Sequence, residues 1–217
     1  LFIFGYIILA LQPWMPLNPD AKTMLGPSAI FNSVASFMTN TDLQHYSGEQ
    51  HLSNFSQICF GFTNLFISAA IGMSALVAII RGLRGDAHMG CFFLDIWRIV
   101  VYIFLPIAFA FAVIFMQQGS PMTYASSFQA TTLEQNVIKS QKIVVGPVAA
   151  FESIKMLGTN GGGFYGTNAA HPFENPTALS NFFNMLAMII FPFALVLLYG
   201  RMLKQIKHSH VIFSVML

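Results

Sequence analysis

Long apolar stretches alternate with polar segments along this chain, and three of the stretches are long enough to cross a membrane. A transmembrane helix needs about 20 predominantly apolar residues, a length that 55–80, 96–116 and 182–200 meet. Shorter apolar runs stand at the two ends, LFIFGYIILA at the beginning and VIFSVML at the finish. We interpret them as the tail of one spanning helix and the start of another, and therefore expect a fragment of a longer protein.

The composition indicates the same class of protein. Hydrophobic residues make up 55% of the 217 residues and charged residues 8%, whereas soluble domains carry about 25% charged residues. This predicts an all-α integral membrane protein that crosses the bilayer several times and contacts lipid. The first stretch also carries Gln57, Thr63, Asn64 and Ser68, so one of its faces is predicted to pack on protein. A net charge of +2 argues against a nucleic-acid partner.

The basic residues predict the orientation in the membrane. Cytoplasmic loops are enriched in lysine and arginine, and such residues follow the first and the third stretch. They are Arg81, Arg84, Arg201, Lys204 and Lys207. We therefore expect 81–95 to be a cytoplasmic loop and 201–217 to be a cytoplasmic link that leads into a further span.

An internal repeat divides the chain into two units. When residues 26–40 are aligned with 146–160, an offset of 120, seven of fifteen positions are identical. The identities include the Gly-Pro pair at the start of each segment and the Thr-Asn pair at its end. Repeats of this kind are the building blocks of many transporters. The predicted units are 1–80, with its first helix truncated, and 96–200.

Each unit contains a helical segment that is too short to cross the bilayer. These segments are 28–38 and 147–157, and Pro27 and Pro147 stand where proline favours a helix start. Eleven residues rise about 16 Å in a helix, whereas the hydrocarbon core is about 30 Å thick. The order span, short pore helix, polar hinge and span predicts a re-entrant loop. Such a loop is tolerated at membrane depth where it is buried in protein or lines an aqueous cavity.

The two hinges have the chemistry of a cation site. They are TNTDLQ at 39–44 and GTNGGG at 158–163. Backbone carbonyls and threonine hydroxyls replace the water shell of an alkali cation without a full charge that would trap the ion. Glycine tolerates backbone angles that turn carbonyls toward one axis, and the negative end of each short helix dipole points at the hinge that follows.

Several features leave two interpretations open. A glycine triplet alone is also typical of a flexible linker, although the repeat and the flanking helices favour the cation site. Asp42 either attracts cations or is exposed at the mouth of the site, and Lys155 either neutralises a pore charge or extends to water. His171 and Glu174 invite a metal or acid–base interpretation. Because no third ligand accompanies them, we expect structural hydrogen bonding instead.

One long motif resembles a known family. The stretch SIKMLGTNGGGFYGTNAAHPFENPT at 153–177 is similar to the signature of the potassium-binding A chain of Kdp-type potassium-transporting ATPases. SFMTNTDLQHYSGE at 36–49 resembles the first filter region of that family, and TTLEQ at 131–135 and GPVAAFESIKM at 146–156 match as well. The resemblance covers nearly the whole chain.

The resemblance implies four span–pore–span units related to potassium channels, of which this chain holds two. It implies a subunit of the bacterial inner membrane that binds and conducts potassium, while a separate P-type ATPase subunit hydrolyses ATP and two small accessory subunits complete the complex. Potassium is then the transported substrate, with no catalytic cofactor. The residues assigned to the potassium filter are Thr39, Asn40, Thr41, Gln44, Gly158, Thr159, Asn160, Gly161, Gly162 and Gly163.

The chain departs from the family pattern beside both hinges. Asp42-Leu43 stands where the family has Asn-Trp, and Tyr165-Gly166-Thr167 where it has Phe-Asn-Ala. The hinges alone also fit a passive potassium channel or an ion-coupled potassium transporter of the same superfamily. A membrane-embedded enzyme built on His171 and Glu174 would need more converging polar groups than the spans offer. We therefore expect the ion-binding subunit of an ATP-driven importer, with no catalytic site in this chain itself.

Overall fold

The computed structural model describes residues 1–23, 25–133 and 140–217 and is mostly helical. The last two residues of the TTLEQ stretch, 134 and 135, lie outside the described residues. In chain order the helices are α1 (Phe2–Ala10), α2 (Pro27–Met38), α3 (Gly48–His51), α4 (Asn54–Arg84), α5 (Phe92–Gln118), α6 (Val148–Leu157), α7 (Ala178–Met202) and α8 (Ile206–Met216).

Helices α4, α5 and α7 are each long and apolar enough to cross a membrane. Each contains one of the three predicted stretches and extends beyond it at both ends. Two of them include a wide π-helical turn, Gln57–Phe62 in α4 and Ile99–Phe104 in α5. The second of these turns ends two residues before Pro106, whose missing N–H removes a hydrogen bond from a regular helix.

The two short helices occur where the repeat predicts them. Pro27 is the first residue of α2, and Pro147 directly precedes α6. Each short helix packs against two helices of its own unit, α2 against α1 and α4 and α6 against α5 and α7. Aromatic contacts join these elements in the core: Phe37 and Phe60 have ring centroids 5.1 Å apart.

The prediction of an all-α chain misses a small two-stranded sheet. Strand β1 (Phe128–Thr131) pairs antiparallel with β2 (Ser140–Ile143), and Phe128 is opposite Ile143. These strands are largely exposed. They therefore lack the alternation of apolar and polar residues by which a half-buried strand is recognised in a sequence.

Candidate functional site

The two hinges, 39–44 (the first loop) and 158–163 (the second loop), lie against each other. The Asn160 side-chain amide donates to Oδ1 of Asn40 and, at 3.1 Å, to Oγ of Ser68. Ser68, on α4, donates in turn to Oδ1 of Asn40 at 2.7 Å. Asn40 and Asn160 are equivalent positions of the two repeats. The contact between the loops therefore includes a hydrogen bond between equivalent residues of the two repeats.

A second set of contacts joins the first loop to the backbone of the second loop. The Gln44 side-chain amide donates to the carbonyl of Gly163 at 2.9 Å. Gly162 lies so close to Asp42 that a Cβ atom at Gly162 would stand 3.1 Å from the Asp42 carbonyl oxygen. Beyond the loops, Gln57 of α4 donates to the carbonyl of Phe164 at 3.2 Å. The relative position of the two loops is thus fixed by hydrogen bonds and by close packing.

The first loop is tied to the end of its own helix. Thr41 N donates to the Ser36 carbonyl at 3.0 Å, and Leu43 N donates to Ser36 Oγ at 2.7 Å. Thr39 Oγ1 donates to the Ala35 carbonyl at 2.9 Å and lies 3.0 Å from Thr41 Oγ1. A hydroxyl that donates its hydrogen keeps lone pairs on the oxygen. The Thr39 oxygen therefore retains the capacity to bind a cation.

Both loops contain residues in the left-handed region of backbone space. In the second loop φ is 51° at Thr159, 83° at Gly161 and 64° at Gly162. In the first loop it is 60° at Asn40 and 50° at Asp42. Asn and Asp enter this region more readily than other residues with a Cβ atom. The first loop therefore adopts positive φ without any glycine, whereas two of the three positive-φ residues in the second loop are glycines.

A cavity of about 350 Å³ lies where the two short helices end. Thr39 directly follows α2, and Gly158 and Thr159 follow α6. These residues line the cavity together with Asn40 and Ser68. The last carbonyls of a helix carry a partial negative charge. Two helix ends of the same polarity therefore make this cavity favourable for a cation.

Asp42 and Lys155 are both buried, which excludes one of the two interpretations that the sequence left open for each. Asp42 is 3% exposed, so its interpretation as an exposed residue at the mouth is wrong, and the ion pairs found in the described residues do not include it. Lys155 is 1% exposed, so it does not extend to water. Its ammonium group pairs with Glu152 and Glu174.

Sequence reasoning missed Glu152 in this cluster. The available signal was its spacing of three residues from Lys155, which places both side chains on one face of a helix. The sequence also predicted no role for Ser68 beyond packing on protein. The structure confirms that packing and adds the hydrogen bonds to the two loops.

His171 and Glu174 have structural contacts. The His171 ring stacks on Tyr165 with centroids 3.6 Å apart, and its Nδ1 accepts a hydrogen bond from Phe173 N at 3.1 Å. Burial in this stack lowers the pKa of His171. Glu174 accepts a hydrogen bond from Ala169 N at 3.0 Å. Within 1–23, 25–133 and 140–217, no three His, Cys, Asp or Glu side chains are grouped as a metal site.

Comparison with known proteins adds an independent finding. The family model of the potassium-transporting ATPase A subunit matches residues 1–217. The chain is 44% identical over 214 residues to a protein of Caldanaerobacter subterraneus subsp. tengcongensis, covering 98% of this chain and 38% of that protein. It is 45% identical over 217 residues to a protein of Rhodopseudomonas palustris, covering 99% and 38%. Both relatives are named potassium-transporting ATPase potassium-binding subunit.

A third similar protein, from Leptospira interrogans, carries the same name and is 44% identical over 218 residues, covering 99% of this chain and 39% of that protein. The chain thus spans less than two fifths of the length of the relatives it matches. The match extends over both loops, both short helices and all three long apolar helices. The chain belongs to the potassium-transporting ATPase A subunit family.

Proposed function

We propose that the two loops are part of a potassium filter and that the chain belongs to the potassium-binding subunit of an ATP-driven potassium importer. The observation that carries this proposal is the contact of the loops through Asn40, Asn160 and Ser68. Loops 120 residues apart in the chain meet beside a cavity that faces the negative ends of two helices. The names of the relatives, which refer to potassium, support the choice of this ion.

In this proposal the short helices α2 and α6 enter the membrane without crossing it, and each loop returns at membrane depth as a re-entrant segment. The ten filter residues named from the sequence supply backbone and threonine oxygens to the ion. Oxygens without a full charge bind a dehydrated cation weakly enough for it to leave again. The complete subunit would surround the ion with further units, because two loops enclose only part of its circumference.

The proposed assembly is a multi-pass complex of the bacterial inner membrane. A P-type ATPase subunit would hydrolyse ATP, two small accessory subunits would complete the complex, and this chain would bind and conduct the ion. The loop 81–95 and the segment 201–217 would face the cytoplasm. The relatives' names refer to a subunit of a potassium-transporting ATPase, which favours this assembly over a passive channel.

The test uses the complete subunit in its assembled complex, reconstituted into vesicles. At Gly161, φ is +83° and no atom lies within 4 Å of an added Cβ. Gly161→Ala therefore changes the backbone preference without a steric clash. A left-handed conformation costs about 1–2 kcal/mol for a residue with a Cβ atom, so the potassium concentration that half-saturates uptake should rise about tenfold.

Gly26→Ala is the matched control, because that site is equally open and its φ is −61°. Equal uptake by the two variants would contradict the filter proposal. Rubidium uptake that continues in the absence of ATP would instead support a passive channel and contradict the assignment to an ATP-driven importer.

A further inference from the structure

A cluster of three charged side chains is buried behind the second loop. The Lys155 ammonium pairs with Glu152, which precedes it by one turn on α6, and lies 3.4 Å from Oε1 of Glu174. All three residues are at most 1% exposed. Charges buried this deeply are destabilising unless they are paired. With one cation and two carboxylates, the ionised cluster has a formal charge of −1.

The cluster is built against the backbone of the second loop. A Cβ atom on Gly163 would stand 2.8 Å from Oε1 of Glu174 and 3.1 Å from Nζ of Lys155. A residue with a side chain would therefore displace the charged groups. The carbonyl of the same glycine accepts the hydrogen bond from Gln44. Gly163 thus contacts the charged cluster and the first loop at once.

Glu174 also holds the chain that follows the second loop. Its Oε2 accepts a hydrogen bond from Ala169 N at 3.0 Å, and its Oε1 accepts one from Tyr165 N at 3.5 Å. Glu152 differs, since among the described residues its carboxylate pairs with Lys155 and accepts no hydrogen bond from the loop backbone. Of the two carboxylates, Glu174 is the one that connects Lys155 to the loop backbone.

The first unit is built without this cluster. Asn32 and Ala35 occupy the positions that correspond to Glu152 and Lys155 at the offset of 120. The short helix and its loop form there nonetheless. The cluster is therefore not a requirement of the repeated fold, and its charged residues are specific to the second unit.

We propose that Glu174, held in place by Lys155, is a positioning residue that fixes the second loop against the first and thereby sets the affinity and selectivity for potassium. The inference rests on the proposed function of the loops. The number and placement of oxygen ligands determine which cation exchanges its water shell most favourably. Releasing 163–169 from α6 should therefore weaken potassium binding and reduce the discrimination against sodium.

The test compares Glu174→Gln with Glu152→Gln in the complete subunit and its assembled complex. Both changes replace a carboxylate by an amide of the same shape and remove the same charge from one cluster. Only Glu174→Gln alters the contacts with the loop backbone. A hydrogen bond to a charged group is stronger than one to a neutral group, so the amide should hold the loop backbone less firmly than the carboxylate does. Glu174→Gln should therefore raise the half-saturating potassium concentration about tenfold. Glu152→Gln should change it less than about threefold.

Three further readouts separate positioning from a general loss of structure. The maximal uptake rate of Glu174→Gln should stay within about twofold of the wild type, while sodium competes more effectively. Potassium should also raise the unfolding temperature of the wild-type complex more than that of Glu174→Gln. Glu174→Asp keeps the charge beside Lys155 and should recover part of the affinity. If Glu174→Gln fails to assemble, Glu174→Asp and Glu152→Gln carry the comparison.

Equal shifts for Glu174→Gln and Glu152→Gln would overturn the inference, because a uniform electrostatic effect would then explain both. Unchanged affinity and selectivity in Glu174→Gln, or in Glu174→Asp if only that variant assembles, would overturn it as well. In both cases the wild type would still bind potassium, so the proposed function would survive. A wild-type complex without any saturable potassium dependence would refute the proposed function and the inference together.

Discussion

The two loops begin from the same sequence pattern and are held in place by different means. Each follows a short helix through a Thr-Asn pair, and each contains residues with positive φ. The first loop is secured by Ser36 and by threonine hydroxyls of its own segment. The second is secured by a buried ion cluster that spans α6 and the chain beyond the loop. Both loops donate backbone hydrogen bonds to the ends of their own helices. The first adds local side-chain hydrogen bonds, whereas the second adds an ion cluster that includes one pair distant in sequence, Lys155 with Glu174.

The loops also differ in where they place negative charge. In the first loop the carboxylate of Asp42 is within the loop itself. In the second loop the carboxylates lie behind the backbone, where Lys155 partly balances them. A cation near either loop would meet a negative potential from these carboxylates, while its proposed ligands in both loops are neutral backbone and threonine oxygens. The comparison predicts that the second loop depends on its charged cluster for stability, whereas the first carries its charge at a cost in stability.

The largest effect is expected for Lys155→Met. This change leaves Glu152 and Glu174 buried without their cation, and breaking a buried ion pair in this way costs about 3–5 kcal/mol. The complex should assemble poorly or unfold at a markedly lower temperature, as measured by thermal denaturation of the purified assembly. In the triple variant Glu152→Gln/Lys155→Met/Glu174→Gln no charge remains in the cluster, so most of the stability should return. A single variant as stable as the wild type would show that the second loop does not depend on its cluster.

A smaller effect of opposite sign is expected for Asp42→Asn in the first loop. The amide has the shape of the carboxylate without its charge, so the unfolding free energy should rise by about 1–2 kcal/mol. Potassium affinity should fall at the same time, because the loop loses its negative charge. Thermal denaturation and potassium titration of the complex measure the two effects.

Asp86→Asn is the control for that change. Asp86 is paired with Arg84 on the surface, where solvent screens the pair, so it contributes little to stability. It should alter neither stability nor affinity appreciably. A less stable Asp42→Asn protein would contradict the view that this carboxylate is retained at the expense of stability.

The sequence was sufficient for the long apolar helices and the two short helices, but not for the two strands or for the contacts between elements. The three apolar stretches and the two short helices follow from hydropathy and proline position, which act within a few turns of chain, and from the repeat, which appears when the sequence is aligned with itself. The starts of α2 and α6 lie one residue from the predicted starts, at Pro27 and Val148. These features are local, so a single sequence contains them.

The contacts between side chains of different elements could not be obtained in that way. The Asn40–Asn160 hydrogen bond joins residues 120 positions apart, and its formation depends on how α2, α4 and α6 dock. The same holds for Glu174, whose partner Lys155 lies on α6. Burial of Asp42 was equally inaccessible, because its neighbour Gly162 comes from the other unit. Spacing along a helix does predict one of these pairs, Glu152 with Lys155, and only that one is local.

The smallest effect concerns the hydroxyl that bridges the two loops. Ser68→Ala removes the donor to Asn40 and the acceptor for Asn160, and a buried hydrogen bond contributes about 1 kcal/mol. Ser74, on the same helix, is also fully buried, but its hydroxyl has no hydrogen-bond partner in the described part of the chain. Ser74→Ala should therefore leave stability unchanged or raise it slightly. Because the bridge joins the loops rather than supporting one of them, Ser68→Ala should raise the half-saturating potassium concentration by about twofold to fivefold. Equal potassium titrations for the two serine variants would show that the loops keep their mutual position without the bridge.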